Sequence, residues 1–217
     1  MDDRTLLDAW RNGDASAGQA LVSRHYEAVY RFFLGKADPQ ACEDLVQATF
    51  EVLCRRADDF RGDSTVRTFL FGIARHKLLR YYERKRIARD RSAGFDPAVE
   101  PLPTEGAERS IVSLFAARDR EMLVVQALRT MPFDDQVLLE LKDYEGLKAR
   151  ELAEILEIPP GTVASRLHRA RKRLAEAVRR LEADPALVER TVTDLDGAMR
   201  AIRDRILAAR AAEAGGG

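Results

Sequence analysis

The sequence predicts an all-α chain: two small helical domains joined by an extended acidic linker, with a helical extension at the C-terminal end. Three observations carry this. Apolar residues recur at helical spacing, as in Val22, Tyr26, Val29 and Phe33, and again in Leu45, Val46, Val52 and Leu53. No alternating apolar–polar run is long enough for a strand. Between the helical stretches lies SAGFDPAVEPLPTEGAERS, residues 92–110, with Pro97, Pro101 and Pro103, two glycines and a net negative charge. Prolines spaced in this way favour extended backbone, so the flanking pieces, roughly 1–91 and 111–182, can sit well apart.

A chain of 217 residues can bury one large core or two small ones without staples. Thirty-six Lys plus Arg balance thirty-six Asp plus Glu, but a whole-chain average hides local sign. Arg75 to Arg91 holds eight basic and two acidic residues, and Arg166 to Glu182 holds seven and two. Cys42 and Cys54 form no CxxC or Cys/His grouping, so neither a disulfide framework nor a metal site is expected, and both read as buried, reduced thiols. No segment approaches a membrane span and the start, MDDRTLLDAW, is acidic, which predicts a cytoplasmic protein without membrane insertion.

After Asp184-Pro185, in the extension 183–217, Val188, Val192, Leu195, Met199, Ile202 and Ile206 step by four and three like a heptad seam. The seam is short, which favours a helix packing its stripe on this same chain; a partner-binding or self-pairing helix is the alternative.

Residues 149–174, ARELAEILEIPPGTVASRLHRARKRL, have the layout of a helix-turn-helix. Leu152, Ile155 and Leu156 give the first helix an apolar face, Ile158 plugs the corner, and Pro160 fits the first turn of the next helix, where no amide donor is needed. Val163, Leu167, Ala170 and Leu174 then form one stripe. Opposite them lie Thr162, Ser165, Arg166, Arg169 and Arg173, small hydroxyls near the N-terminus followed by arginines able to fork onto guanine or grip phosphate. His168 reads as a partly exposed spacer or phosphate contact.

The stretch RTFLFGIARHKLLRYYERKR, Arg67 to Arg86, carries seven Arg or Lys and four aromatic residues. On a helical wheel Leu70, Ala74, Leu78 and Tyr81, with Phe71 and Tyr82, share one arc, whereas Phe69, His76, Lys77, Arg80 and Arg84 share the opposite flank. Duplex binding needs cations alone; unstacked bases also use ring faces. Just upstream, FRGDST (Phe60 to Thr65) is a polar loop able to cup a base swung out of the helix.

With both sites in hand, residues 5–182 resemble a bacterial RNA polymerase sigma factor of the extracytoplasmic-function group. EDLVQATFEVL and FRGDSTVRTFLFGIARHKLL are similar to the family's region 2, and LRTMPFDDQVLLELKDYEGLKARELAEILEIPPGTVASRLHRARKRL to its region 4. The resemblance implies that Asp44, Gln47, Glu51 and Arg55 meet the clamp of the polymerase beta-prime subunit. It places Asp63, Ser64 and Thr65 in a loop capturing a minus-10 base, and His76, Lys77 and Arg80 at the melted region, where the wheel adds Phe69 and Arg84 of the same flank. Thr162, Ser165, Arg166 and Arg169 would enter the minus-35 major groove, with Arg173 on the same face of the helix. The implied partners are core RNA polymerase (beta-prime clamp and beta flap), promoter DNA and an anti-sigma factor; no cofactor, metal or catalytic residue is implied. His76 stands where the family commonly has Asn, Phe69 where it has Trp, Ala48 where an acid is frequent, Lys148 for a Ser or Thr cap, and Ala164 for Lys or Arg. The alternatives are a helix-turn-helix regulator acting without polymerase, and a sigma mimic that titrates an anti-sigma factor.

Overall fold

The structure, a computed structural model, describes residues 1–57, 60, 62, 64–88, 96–101 and 120–215, with backbone only for 86–88 and 210–215. Its first bundle is α1 (Asp3–Arg11), α2 (Ala15–Phe33), α3 (Pro39–Arg55) and α4 (Val66–Ala88). The second is α5 (Arg120–Arg129), α6 (Phe133–Asp143), α7 (Ala149–Leu156) and α8 (Val163–Leu181), followed by α9 (Pro185–Thr193) and α10 (Leu195–Gly215). Among the described residues there is no strand; a single isolated bridge joins Leu34 and Ala37.

Local chemistry starts the helices where they start. Asp2, Asp14, Asp38 and Asp184 accept from first-turn amides of α1, α2, α3 and α9, satisfying donors that the helix itself leaves open. Asp38 also precedes Pro39, whose missing N–H costs nothing there. The amide of Ala41, then the Tyr81 hydroxyl and Lys85, hold the Asp38 carboxyl below the usual carboxylate range. Leu7, Leu21, Phe33, Leu53, Leu70, Phe71 and Leu78 fill the first core. Gly18 lets α2 pass close to α1, since a Cβ there would lie 2.6 Å from the Trp10 indole.

The two bundles do not stand apart. The first core runs on into Val137, Leu138, Leu141, Leu152, Ile155 and Leu156 of the second bundle, and α4 packs on α7. Composition gave the linker's stiffness but said nothing about complementary faces, and it is those faces that close the molecule. Part of the linker is itself docked. In the turn around residues 96–101, the carbonyls of Pro97 and Glu100 accept from the amides of Asp134 and Phe133, both at 2.9 Å. They fill a need at the start of α6, where Pro132 offers no capping side chain. Residues 92–95 and 102–110 of the expected linker lie outside the described residues.

The extension also differs from a single helix. It breaks at Asp194, whose carboxylate takes the Gly197 amide at 2.9 Å and whose carbonyl takes that of Ala198 at 3.1 Å, so a new helix is capped where the seam predicts continuity. Met199, Ile202 and Ile206, with Leu187 and Ala198, are buried in the second core beside Met122, Leu123, Leu174 and Val178. Val188, Val192 and Leu195 are half-buried. The stripe packs on its own chain, which leaves little of the seam for self-pairing.

One thiol departs from expectation. Cys42 is buried, near the Phe33 carbonyl, and burial pushes its pKa up to about 12. Cys54 is exposed, one residue past the buried Leu53 and therefore turned off the core face of α3. A thiol-reactive dye at pH 8 should therefore label one cysteine rapidly and the second only on unfolding. Two equally fast thiols would contradict the packing around Cys42.

Candidate nucleic-acid interface

The helix-turn-helix is built as its residues require. At the end of α7, Glu157 takes a left-handed conformation (φ 56°, ψ 40°), and the Ile158 amide donates back to the Ala153 carbonyl at 3.0 Å. Lys148 begins α7 without a side-chain acceptor; its amide is met instead by Glu151 Oε2 at 2.8 Å. A 3-10 turn, Pro160–Thr162, leads into α8. Along α8, Val163, Ala170, Leu174, Ala177 and Val178 are buried and Leu167 is half-buried. Thr162, Ser165, Arg169 and Arg173 are exposed on the other side, as expected, with Arg166 half-buried between. His168 is exposed.

Two of these arginines already have partners. Arg166 reaches Asp135 Oδ1 through Nε and Asp134 Oδ2 through Nη2, both at 3.3 Å, and Arg173 pairs with Asp135. Among the described residues Arg169 has no ion-pair partner. Arg166, Arg169 and Arg173 line a cleft of about 220 Å³ with Asp135, Ile158 and Thr162, and Ala98 of the docked linker turn forms part of its wall. Sequence reasoning missed Asp134 and Asp135 in this role; they are acids in the first turn of a helix, where they also favour the helix dipole.

The second surface lies on α4. Thr65 caps that helix, accepting from the Thr68 amide at 3.0 Å. The hydroxyls of Thr65 and Thr68 lie 3.3 and 3.1 Å from Glu151 Oε1. Asp63 lies outside the described residues. Ser64 is half-buried, and Phe69, also half-buried, meets the Phe60 ring at 5.6 Å between centroids. His76, Arg80 and Arg84 are exposed and Lys77 is half-buried, so the basic flank falls where the wheel puts it. His76 Nε2 lies 3.1 Å from Glu157 Oε1. A cleft of about 460 Å³ opens beside Phe60, Ser64 and Thr65, and its far wall is Asp2, Asp3, Arg4 and Arg24. Sequence reasoning missed that wall because only the fold brings α1 to the loop. Gly62, at φ +79°, has the Arg4 guanidinium 3.0 Å from where a Cβ would sit.

A third, polar face lies on α3. Asp44, Gln47, Glu51 and Arg55 are all exposed, with Gln47 Nε2 donating to Glu51 Oε1 at 3.0 Å, while Leu45, Val46, Phe50 and Leu53 turn inward. Among the described residues no cluster of side chains is suited to a metal ion, and no helix is long and apolar enough to cross a membrane.

Residues 21–87 match Sigma-70 region 2 and residues 121–174 match Sigma-70 region 4. The chain belongs to the sigma-70 family. Its curated relatives place it in the extracytoplasmic-function group of RNA polymerase sigma factors. The ECF RNA polymerase sigma-E factor of Haemophilus influenzae is 27% identical over 192 residues, covering 83% of this chain and 97% of that protein. The sigma-E factor of Escherichia coli K12 is 29% identical over 188 residues, covering 83% and 96%. Two solved structures share the fold. The sigma factor RpoE of Bartonella quintana, in complex with the anti-sigma factor NepR, has a TM-score of 0.55 at 23% identity, covering 76% of this chain and 98% of that one. CnrH, in complex with the cytosolic domain of CnrY, has a TM-score of 0.54 at 24% identity, covering 83% and 99%. As a sigma factor the chain directs promoter-specific transcription by RNA polymerase. The region 4 match ends at Leu174, so the last turns of α8 and all of α9 and α10 lie beyond it.

Proposed function

We infer that this sigma factor acts in the cytoplasm as a dissociable subunit whose two basic surfaces read two promoter elements while it rides on core polymerase. In region 4, Thr162, Ser165, Arg166, Arg169 and Arg173 contact the minus-35 duplex. In region 2, Asp63, Ser64 and Thr65 border the minus-10 base pocket, and Phe69, His76, Lys77, Arg80 and Arg84 hold the opened strand. Asp44, Gln47, Glu51 and Arg55 dock on the beta-prime clamp, region 4 meets the beta flap, and an anti-sigma factor restrains the free chain. The observation that carries this is the pairing of two basic faces with different chemistry: exposed arginines and hydroxyls on a helix-turn-helix, and a ring-bearing basic helix beside a cleft sized for a base.

Two features refine the assignment. Ring–ring contact between Phe60, which lines the cleft, and Phe69 of α4 supports a stacking role for this pair toward an unstacked base. Arg4 and Arg24 bring cations to a pocket whose other lining is the carboxylates of Asp2 and Asp3, the hydroxyls of Ser64 and Thr65, Gly62, and the apolar Phe60 and Val66. The direct test adds the purified chain to core polymerase on fragmented genomic DNA and maps transcript starts. A set of starts sharing two upstream elements, absent with core alone, is expected; failure of the chain to enter a complex with competent core would overturn the proposal.

A further inference from the structure

The first turn of α1 faces the base-capturing loop, yet it lies ahead of the region 2 match, which begins at residue 21. It is fastened to α2 all the same. Asp3 takes Arg24 Nη1 at Oδ1, and its Oδ2 lies against His25 Nε2, both at 2.7 Å. Arg24 Nη2 also donates to the Met1 carbonyl at 3.1 Å. His25 is only 6% exposed, so the contact ends on a group that the bundle holds in place. Asp2 closes the turn by accepting the amide and the hydroxyl of Thr5 at Oδ1, at 2.8 and 2.9 Å. With the turn pinned in this way, Arg4 is presented to the cleft beside Phe60, Ser64 and Thr65.

The hydrogen-bonding capacity of that cleft is one-sided. Both oxygens of Asp3 and one of Asp2 are engaged within the α1–α2 corner. The Thr65 hydroxyl is taken up by Thr68 and Glu151. Arg24 spends its two terminal nitrogens on Asp3 and Met1. Arg4 is different: it is exposed, and among the described residues it has no hydrogen-bond or ion-pair partner. Its guanidinium lies against the loop backbone, 3.0 Å from where a Cβ on Gly62 would sit. A planar fork of N–H donors, with no acceptor of its own, thus faces a space whose carboxylates are mostly occupied. A ligand held there has to bring the acceptors. Two adjacent acceptors fit the fork best, as on the O6 and N7 edge of guanine or on a pair of phosphate oxygens; adenine sets a donor beside its N7 and fits less well.

We propose that Arg4, on the helix preceding the matched region 2, is a further recognition residue for the opened strand, its guanidinium forking onto two adjacent acceptor atoms of the captured nucleotide. The cleft then combines a stacking surface at Phe60 with a donor fork from α1. This rests on the assignment of the Phe60 to Thr65 loop as the minus-10 base pocket. The acceptors belong either to a guanine edge, in which case Arg4 sets base preference, or to a phosphate, in which case it adds affinity alone.

The test uses holoenzyme assembled from the full chain and core polymerase on a promoter located by start mapping. Each position of its opened element is changed in turn to the other three bases, and run-off transcription is measured at one salt concentration. Arg4→Ala should lower initiation about tenfold on the parent template, the loss expected for one good arginine contact. Its melting temperature should match that of the parent, because Arg4 is exposed. For a guanine edge, Arg4→Ala also brings the four bases at one position to within twofold of each other, and Arg4→Lys, which keeps the charge but not the fork, does not restore the preference. For a phosphate, Arg4→Ala lowers all templates evenly and Arg4→Lys restores most of the rate. Initiation by Arg4→Ala within twofold of the parent on every template overturns the proposal, as does an even loss that Arg4→Lys does not relieve. Ser64→Leu, which fills the cleft from the loop side, separates the two levels. If it lowers initiation where Arg4→Ala does not, only the role of Arg4 has failed; if neither does, the base-pocket assignment has failed with it.

Discussion

Replacing Arg166 and Arg169 together with alanine should lower initiation at promoters that depend on a minus-35 element by about 100-fold, given roughly 1 to 3 kcal/mol for each good arginine contact to a base. The fold should survive. Arg169 is exposed, and loss of Arg166 leaves Asp134 with Arg75 and Asp135 with Arg173. Assembly with core polymerase should also survive, since the α3 face is untouched. Because Arg166 is half-sequestered by two carboxylates and Arg169 is not, the single variants carry different information. Arg169→Ala removes a contact only, whereas Arg166→Ala removes a contact and also takes one cation from each of Asp134 and Asp135. The measurement is run-off transcription on a mapped promoter at one stated salt concentration, because phosphate contacts weaken steeply with ionic strength. Activity within twofold of the parent would show that α8 does not read the duplex.

The helical architecture was legible because its signals are local. The spacing of Leu45, Val46, Val52 and Leu53 fixes the buried side of α3, and the same periodicity puts Asp44, Gln47, Glu51 and Arg55 in solvent. The recognition helix was legible for the same reason: Val163, Ala170 and Leu174 define its buried stripe and so its free face. What was not legible depends on partners far apart in the chain. The bond from Arg75 to Asp134 joins residues 59 apart, and that from Arg67 to Glu145 joins residues 78 apart. No periodicity encodes such a pairing, so nothing in the spacing of Asp134 and Glu145, or of Arg67 and Arg75, pointed to a partner across the chain. The break at Asp194 was hidden by a subtler conflict, in which an apolar seam continues through a residue that prefers to cap a helix.

Truncating the chain after Asp184 should leave the choice of transcript start unchanged while lowering stability substantially. The extension covers region 4 with Leu187, Met199, Ile202 and Ile206, all buried, against Met122, Leu123, Leu174 and Val178. Fully burying such side chains contributes about 1.5 to 3 kcal/mol each before the entropy of ordering two helices is set against it, so removing them exposes an apolar face on α5 and α8. A milder change isolates the packing: Ile202→Ala, at a site with no solvent exposure, should cost about 2 to 5 kcal/mol and lower the melting temperature by several degrees. Start sites should not move, because the residues facing the extension, Leu174 and Val178, lie across α8 from Arg166, Arg169 and Arg173. Thermal unfolding and start-site mapping on the same preparations separate the two roles. A truncated chain that melts like the parent would mean the apolar contact contributes little, and a shifted start site would place α9 and α10 in promoter recognition itself.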